Sequence, residues 1–352
     1  MRSIGRAAGA AALALAAVLV SAGSAPAGAG ADPVPTTVKT YTVWHWNVAG
    51  HKINKGLDGT ASTDAVWEAN GARWMVDEAV GSIKTQNPDF VSFNEICRGQ
   101  YEEIRGKLSS GATPWTEAAS FARFATTHAA GTTVCNGEAF GNALFSKAEL
   151  GISRTYVLPA DYTQAEADSG GYTEDRSMLC APLAAQPKMK FCTTHITGSN
   201  RRLPEPTSPK INGQQLNAVR DILDGFTAAG ESYLVAGDFN AQPGFARLGP
   251  LMEGRTELDG ADPAHCPGYG EWTALDDPAT PDSNPTPCAE NLGNPKIDLI
   301  LAPTGQLAPD STYTADSKAI PTRCSIDGGK TLQLCSDHRV LTGTATLTVR
   351  TD

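Results

Sequence analysis

Short apolar runs recur along this chain, and many of them stop abruptly at a polar residue. The stretch "TYTVWHWNVAG" (40–50) alternates and then ends at Asn47 and Gly50, the pattern of a strand running into a loop. "DFVSFNEI" (89–96) reads as a buried strand closed by Glu95. Further strands are predicted in "GNALFSK" (141–147), "RSMLCAPL" (176–183), "KFCTTHI" (190–196), "YLVAGDFN" (233–240), "KIDLILAP" (296–303) and "VLTGTATLTV" (340–349). Between them lie three helical patterns. Val66, Ala69, Trp74, Ala79 and Ile83 recur at helical spacing before a stop at Pro88. "RGQYEEIRGKLSS" (98–110) is helix-like, and "SPKINGQQLNAVRDILDGFTAAG" (208–230) is amphipathic and leads into the next strand.

Strands mixed with helices, with a hairpin in the middle, predict an α+β fold built as an α/β sandwich of sheets covered by helices. No internal repeat and no long linker divide the chain, so residues 32–352 are expected to form one domain. Residues 255–295 differ in texture: they are rich in Pro, Asp and Asn and predict a long irregular excursion. Their acidic side chains lack any regular calcium-ligand spacing, which favours a solvated loop.

The N-terminus changes the compartment. "MRSIGR" is basic, the following apolar run is Ala-dominated and shorter than a membrane span, and A-x-A sites end at Ala27 and Ala31. This is the pattern of a secretory signal peptide covering residues 1–31. No later stretch has the length of apolar sequence that spans a bilayer, so the mature chain is expected to be secreted, without stable membrane insertion. The net charge of −10, further lowered by removal of Arg2 and Arg6, argues against tight, salt-dependent wrapping of nucleic acid, though not against brief phosphate contacts. Eight cysteines in an exported chain predict disulfides. Eight cysteines allow 105 connectivities, so the sequence does not fix the pairing; joining sequence neighbours would give Cys97–Cys135, Cys180–Cys192, Cys266–Cys288 and Cys324–Cys335, with the second bridging a hairpin. None sits in a C-x-x-C spacing, so zinc and redox motifs are not indicated.

The polar strand ends carry the candidate chemistry. Asn47, Glu95, His195, and Asp238 with Asn240 close predicted strands; Asp298 sits between Ile297 and Leu299, and Asp337–His338 precede the last strand. A period of two places Asp238 and Asn240 on one face if the chain is still extended there. Converging on one rim, such residues would offer several carboxylates, two carboxamides and two histidines. Oxygen-rich sites suit hard divalent ions such as Mg²⁺, which share ligands with phosphate. A histidine oriented by an acid is a general base near neutral pH. These parts fit metal-assisted hydrolysis of a phosphate ester. There is no Gly-x-Ser-x-Gly elbow for a serine hydrolase and no histidine cluster for a zinc enzyme.

In order along the chain, "WNVAG", "NEI", "GNALFSK", "THITGSN", "GDFNAQPG", "KIDLIL" and "SDHRVL" resemble the endonuclease/exonuclease/phosphatase superfamily that contains DNase I, over roughly residues 40 to 348. The resemblance implies a four-layered sandwich, two β-sheets face to face with helices outside, and an active site at one rim. It implies that Glu95 is the main metal ligand with Asn47 and Asp337 close to the ion. His338 would activate water, with Asp298 holding its ring. Asp238 and Asn240 would touch the nucleophile and the scissile phosphate, and His195 would act as an acid or phosphate binder. Asn142 and Arg176 match phosphate-contacting positions. The implied cofactor is Mg²⁺, with Mn²⁺ or Ca²⁺ also compatible.

The resulting expectation is a secreted, monomeric, metal-dependent phosphodiesterase acting on nucleic acid. Arg201 and Arg202 offer either a phosphate contact or an exposed loop pair. A sphingomyelinase or phospholipase C would benefit from an exposed apolar hairpin, and the excursion offers only Tyr269 and Trp272 in polar surroundings. An inositol or sugar phosphatase would want a basic pocket. A non-catalytic binding protein on this scaffold would be expected to lose one of Glu95, Asp238, Asp298 or His338, and all are present.

Overall fold

The alternation along each strand sorts its residues into two faces, and the structure uses both. The computed structural model describes residues 34–51, 72–132, 134–170, 173–198, 201–203, 210–242, 245–258, 296–308, 313–318, 323–325, 332–334 and 336–352. In the first half these form β1 (Thr36–Asn47), α1 (Ala72–Gln86), β2 (Phe90–Cys97), α2 (Arg98–Leu108), β3 (Ala122–His128), β4 (Phe140–Ser146), β5 (Arg154–Val157) and α3 (Gln164–Asp168). The second half adds β6 (Ser177–Leu183), β7 (Gln186–His195), α4 (Ile211–Ala228), β8 (Ser232–Asp238), α5 (Gly249–Met252), β9 (Arg255–Glu257) and β10 (Asp298–Pro303). It closes with β11 (Thr314–Lys318), the short pair β12 (Arg323–Ser325) and β13 (Leu332–Leu334), and β14 (Val340–Arg350).

Among the described residues there are two six-stranded sheets, ordered β11-β14-β1-β2-β4-β3 and β5-β6-β7-β8-β10-β9. One face of each sheet meets the other. Tyr41, Val43, Phe90 and Leu144 of the first pack against Leu179, Phe191, Leu234, Ala236 and Ile300 of the second. The rings of Phe90 and Phe191 stack across this layer with centroids 4.7 Å apart. The opposite face of the first sheet, with Trp44, Trp46, Val91 and Phe93, is covered by Met75, Ala79 and Ile83 of α1 and by Tyr101, Ile104 and Leu108 of α2. The outer face of the second, with Met178, Tyr233, Val235 and Leu299, is covered by Leu216, Val219, Leu223 and Phe226 of α4. Helix, sheet, sheet and helix make the expected four layers.

Each long apolar run of the sequence forms a strand, and the three helical patterns form α1, α2 and α4. Val66, Ala69 and the leader lie outside the described residues. The edge strands β3, β5, β9 and β11 are not evident in the sequence: β3 and β5 are largely exposed or half-exposed and carry little alternation, and three-residue β9 buries the charged Arg255 and Glu257 rather than apolar side chains. The stretch expected to be irregular from 255 begins with one of them: Arg255–Glu257 is β9, paired with β10. Cys97–Cys135 and Cys180–Cys192 are bridged as expected, the latter between residues directly opposite in the β6–β7 hairpin. Cys266, Cys288 and Cys335 lie outside the described residues.

Candidate active site

At one rim the layer between the sheets changes from apolar to polar. On β1 the inward positions run Tyr41, Val43, His45, Asn47; on β2 they run Phe90, Ser92, Asn94. On β7, Phe191 is followed by Thr193 and His195; on β8, Leu234 and Ala236 are followed by Asp238. On β10, running the other way, Asp298 comes before Ile300 and Ala302. Register then aligns these ends: Asn47 pairs with Asn94, His195 with Asp238, and Asp298 with Asp238.

The central contact is between His338 and Asp298. The ring nitrogen Nδ1 of His338 stands 2.7 Å from Oδ2 of Asp298, whose side chain is fully buried. Burial would raise the Asp298 carboxyl, but the charge and hydrogen bond of His338, with His45, outweigh it and hold Asp298 well below the usual carboxylate range. Burial would likewise lower His338, but Asp298 and Asp238 push it up to about 10. The segment before β14 is clamped in place: Ser336 Oγ donates to the Asn47 carbonyl at 2.6 Å, and the Trp46 indole donates to the His338 carbonyl at 2.9 Å.

Asp238 is the hub of the remaining groups. Its Oδ2 lies 3.1 Å from Asn47 Nδ2, 3.5 Å from His195 Nε2 and 3.8 Å from His338 Nε2. Burial and the Asp298 charge push its carboxyl up to about 7. Its Oδ1 accepts the Asn240 backbone N–H at 2.8 Å. Asn240 is not in extended backbone: its φ is +45°, and its amide folds back onto the Ile196 carbonyl at 2.7 Å. Asp238 and Asn240 are therefore joined by a tight polar turn rather than by strand alternation. Phe239 between them points into the core under α4. Gly237 also has a steric reason, since a Cβ there would stand 2.1 Å from the Thr194 carbonyl oxygen on β7.

Glu95 sits in a bulge of β2, with φ +55° and a register shift against β4. The bulge turns a residue of a buried strand toward the rim, leaving its side chain one-quarter exposed at 25%. Asn47 Nδ2 donates to it at 3.2 Å. Burial and the charges of Glu174 and Asp337 push Glu95 up to about 7. Such crowding of carboxylates is relieved by a divalent cation, and oxygen donors suit Mg²⁺. Glu95 and Asp337 therefore fit the expected metal. Asn47 Nδ2 donates to the carboxylates of Glu95 and Asp238, and its Oδ1 accepts the Ala49 N–H at 3.1 Å. Ligand atoms of Asp238, Asp298 and His338 also converge within 4.8 Å of one another, but His338 Nδ1 and Asp298 Oδ2 are committed to each other.

The second histidine is held from behind. Arg176 Nη1 donates to His195 Nδ1 at 2.8 Å, while its guanidinium lies 3.0 Å from Glu174 Oε2 and 3.5 Å from Asp161 Oδ2. An arginine only donates, so His195 Nδ1 is the acceptor and its proton sits on Nε2, facing Asp238 and Glu95. Burial and the Arg176 charge lower His195 well below its ordinary value, which keeps it neutral. Arg176 thus contacts the site through His195. Asn142 accepts from Asn94 Nδ2 at 2.9 Å, and its own buried Nδ2 has no hydrogen-bond partner among the described residues. Arg201 forks onto Glu166 of α3, with both guanidinium nitrogens at 2.7 Å, in an exposed ion pair.

Three further residues at the site, His45, Asn94 and Glu174, are not among those the sequence pattern singled out. Asn94 Oδ1 accepts the Asp238 N–H at 2.8 Å and Nδ2 reaches Thr193 at 3.1 Å, tying the two sheets together. His45 is fully enclosed, and burial lowers its pKa. Its inward position on an alternating strand, between two outward tryptophans, is the signal that could have found it.

The chain belongs to the Endonuclease/Exonuclease/phosphatase family, whose profile matches residues 44–338. Members of that family are phosphoric ester hydrolases. No curated protein sequence matches the chain significantly. Among solved structures it is similar to an endonuclease/exonuclease/phosphatase family protein from Bacteroides thetaiotaomicron, with a TM-score of 0.58 and 12% identity over 89% of this chain and 97% of that one. It is also similar to beta toxin from Staphylococcus aureus, with a TM-score of 0.57 and 15% identity over 86% and 99% of the two chains. The human nocturnin catalytic domain, solved with a bound sulfate anion, gives a TM-score of 0.53 and 14% identity over 90% and 100%.

Proposed function

We propose that this protein is a secreted, Mg²⁺-dependent phosphodiesterase whose substrate is nucleic acid. The observation that carries the reading is the hydrogen bond between His338 and Asp298 beside Asp238, which is the arrangement of an oriented general base. His338 acts as the base in its neutral form, which its raised value makes the minor form at neutral pH and which a cation held beside it would favour. That form takes a proton from water at Nε2 as the water oxygen attacks phosphorus, the P–O bond to the leaving oxygen breaks, and the leaving oxygen takes up a proton from solvent. Asp298 holds the ring through Nδ1 and stabilises the imidazolium that forms, which is what the raised value of His338 expresses. His195 presents Nε2–H to the phosphate, with Arg176 fixing that tautomer. Asp238 and Asn240 line the position of the attacking water and the phosphate, and Asn142 Nδ2 is a further buried donor.

Glu95 and Asp337 would hold the cation, which when bound neutralises charge on the phosphate. Two disulfides, a leader-like N-terminus, and the absence among the described residues of a helix long and apolar enough to cross a membrane support export. The test is a panel of plasmid DNA, RNA, sphingomyelin and a chromogenic phosphodiester, each with Mg²⁺ or EDTA. Nicking of DNA or RNA that EDTA abolishes is expected. Activity that survives EDTA would overturn the metal dependence. Cleavage of sphingomyelin with nucleic acid left intact would overturn the substrate.

A further inference from the structure

Behind Asp298 lies a third histidine, one that the proposed chemistry does not use. His45 Nε2 stands 3.2 Å from Asp298 Oδ1, the carboxylate oxygen not engaged by His338. His45 Nδ1 stands 2.8 Å from Ser92 Oγ, on the residue directly opposite in the parallel β1–β2 pairing. Ser92, His45 and Asp298 are all fully buried. Every polar atom in this line is therefore paired, and it runs from the core to the rim.

An ionised carboxylate only accepts, so His45 Nε2 donates and Nδ1 is left for the Ser92 hydroxyl. The neighbouring inward positions on these strands, Tyr41, Val43 and Phe90, are occupied by large hydrophobic side chains packed in the inter-sheet core. An apolar side chain at 45 would fill the same layer without desolvating an imidazole. What an apolar side chain would not do is hold the second oxygen of Asp298. With one oxygen bonded, a carboxylate can still rotate about its Cβ–Cγ bond; with both bonded, its plane is fixed.

We propose that His45 is a positioning residue for the Asp298–His338 pair, setting the plane in which Asp298 presents Oδ2 to His338, with Ser92 setting the His45 tautomer. This rests on the reading of His338 as the acting base.

The test uses the full chain with Mg²⁺ and bis(4-nitrophenyl) phosphate, together with proton NMR of the His338 Nδ1–H. His45→Phe keeps the volume and removes the donor. It is expected to lower kcat by about ten- to a hundredfold with little change in KM, and to shift the His338 resonance. His45→Gln supplies an amide donor and should recover most of the rate. A folded His45→Phe protein with wild-type kcat and an unmoved resonance would overturn the proposal, as would His45→Gln no better than His45→Phe. Should His45→Phe fail to fold, Ser92→Ala removes one hydroxyl only; a kcat loss of about threefold with the same direction of shift is expected, and no change in either overturns it. The NMR arm needs no turnover. A wild-type protein inactive on all phosphodiesters would end the phosphodiesterase reading and leave the His45 inference to be judged on the resonance.

Discussion

His195 stands opposite Asp238 in the parallel pairing of β7 and β8, and its Nε2 lies 3.5 Å from Asp238 Oδ2. The ring can donate there only because Arg176 occupies its other nitrogen. Replacing Arg176 by Gln removes a charge that lowers the His195 pKa, second only to burial. His195 in Arg176→Gln should therefore titrate at higher pH than in the native protein, measured by NMR of the imidazole in EDTA. A titration that does not move would show that the Arg176 charge does not act on His195.

Asp298 and His338 act as one unit, so their losses should not multiply. His338→Ala and Asp298→Asn are each expected to lower kcat by about 10²–10⁴-fold. The double variant should be little worse than the poorer single one. Steady-state rates of the three proteins decide it, and a multiplicative loss would show that the two residues act independently.

Glu95 and Asp238 are both pushed up to about 7. Between their unfolded values near 4 and this folded value, the native state binds protons that the unfolded chain does not. Their contribution to stability accordingly falls as pH rises through that window, and a cation that binds ionised Glu95 restores its share. Millimolar Mg²⁺ should raise Tm more at pH 8 than at pH 5, and Glu95→Gln should reduce the gain. An equal shift at both pH values would separate the cation from these carboxylates.

His338 is raised to about 10 in the folded protein. Its stabilising contribution is complete below the unfolded value near 6.5 and is lost as pH climbs toward 10. Asp298, held low, contributes above its unfolded value near 4 and loses that contribution as the solution is acidified. In EDTA, His338→Gln should flatten the alkaline limb of the Tm profile between about pH 6.5 and 10. Parallel profiles for the two proteins would contradict the assignment.

Gly237 tests the backbone beneath the site. A Cβ 2.1 Å from the Thr194 carbonyl oxygen forces β7 and β8 apart. Gly237→Ala should cost about 1–3 kcal/mol or more, read by chemical denaturation. Wild-type stability would mean that the two strands can separate at no cost.

Much of the fold and of the site is legible in the residue pattern. The alternation of "TVWHWN" and "VSFNE" separates outward tryptophan and phenylalanine from inward residues, and the abrupt polar ends mark the rim. Other features are not legible there. Edge strands such as β3 and β5 escape because exposed positions impose little pattern, and β9 escapes because it buries charged residues. Asn240 reaches its place through a left-handed turn rather than through alternation. Glu95 owes its orientation to a bulge, and nothing in "FNEI" reveals one.

The sequence by itself determined the central strands, their buried faces and the set of polar residues available at the rim, because these depend on local period and side-chain type. Tertiary structure alone decided who meets whom. Asp298 is 40 residues from His338 and 253 from His45 along the chain, and Asn47 is 191 from Asp238. Their pKa values and tautomers follow from distance and burial inside a layer that exists only once two sheets close on each other. A carboxylate's partners in that layer are set by register and packing, and neither leaves a mark on the residues beside it in sequence.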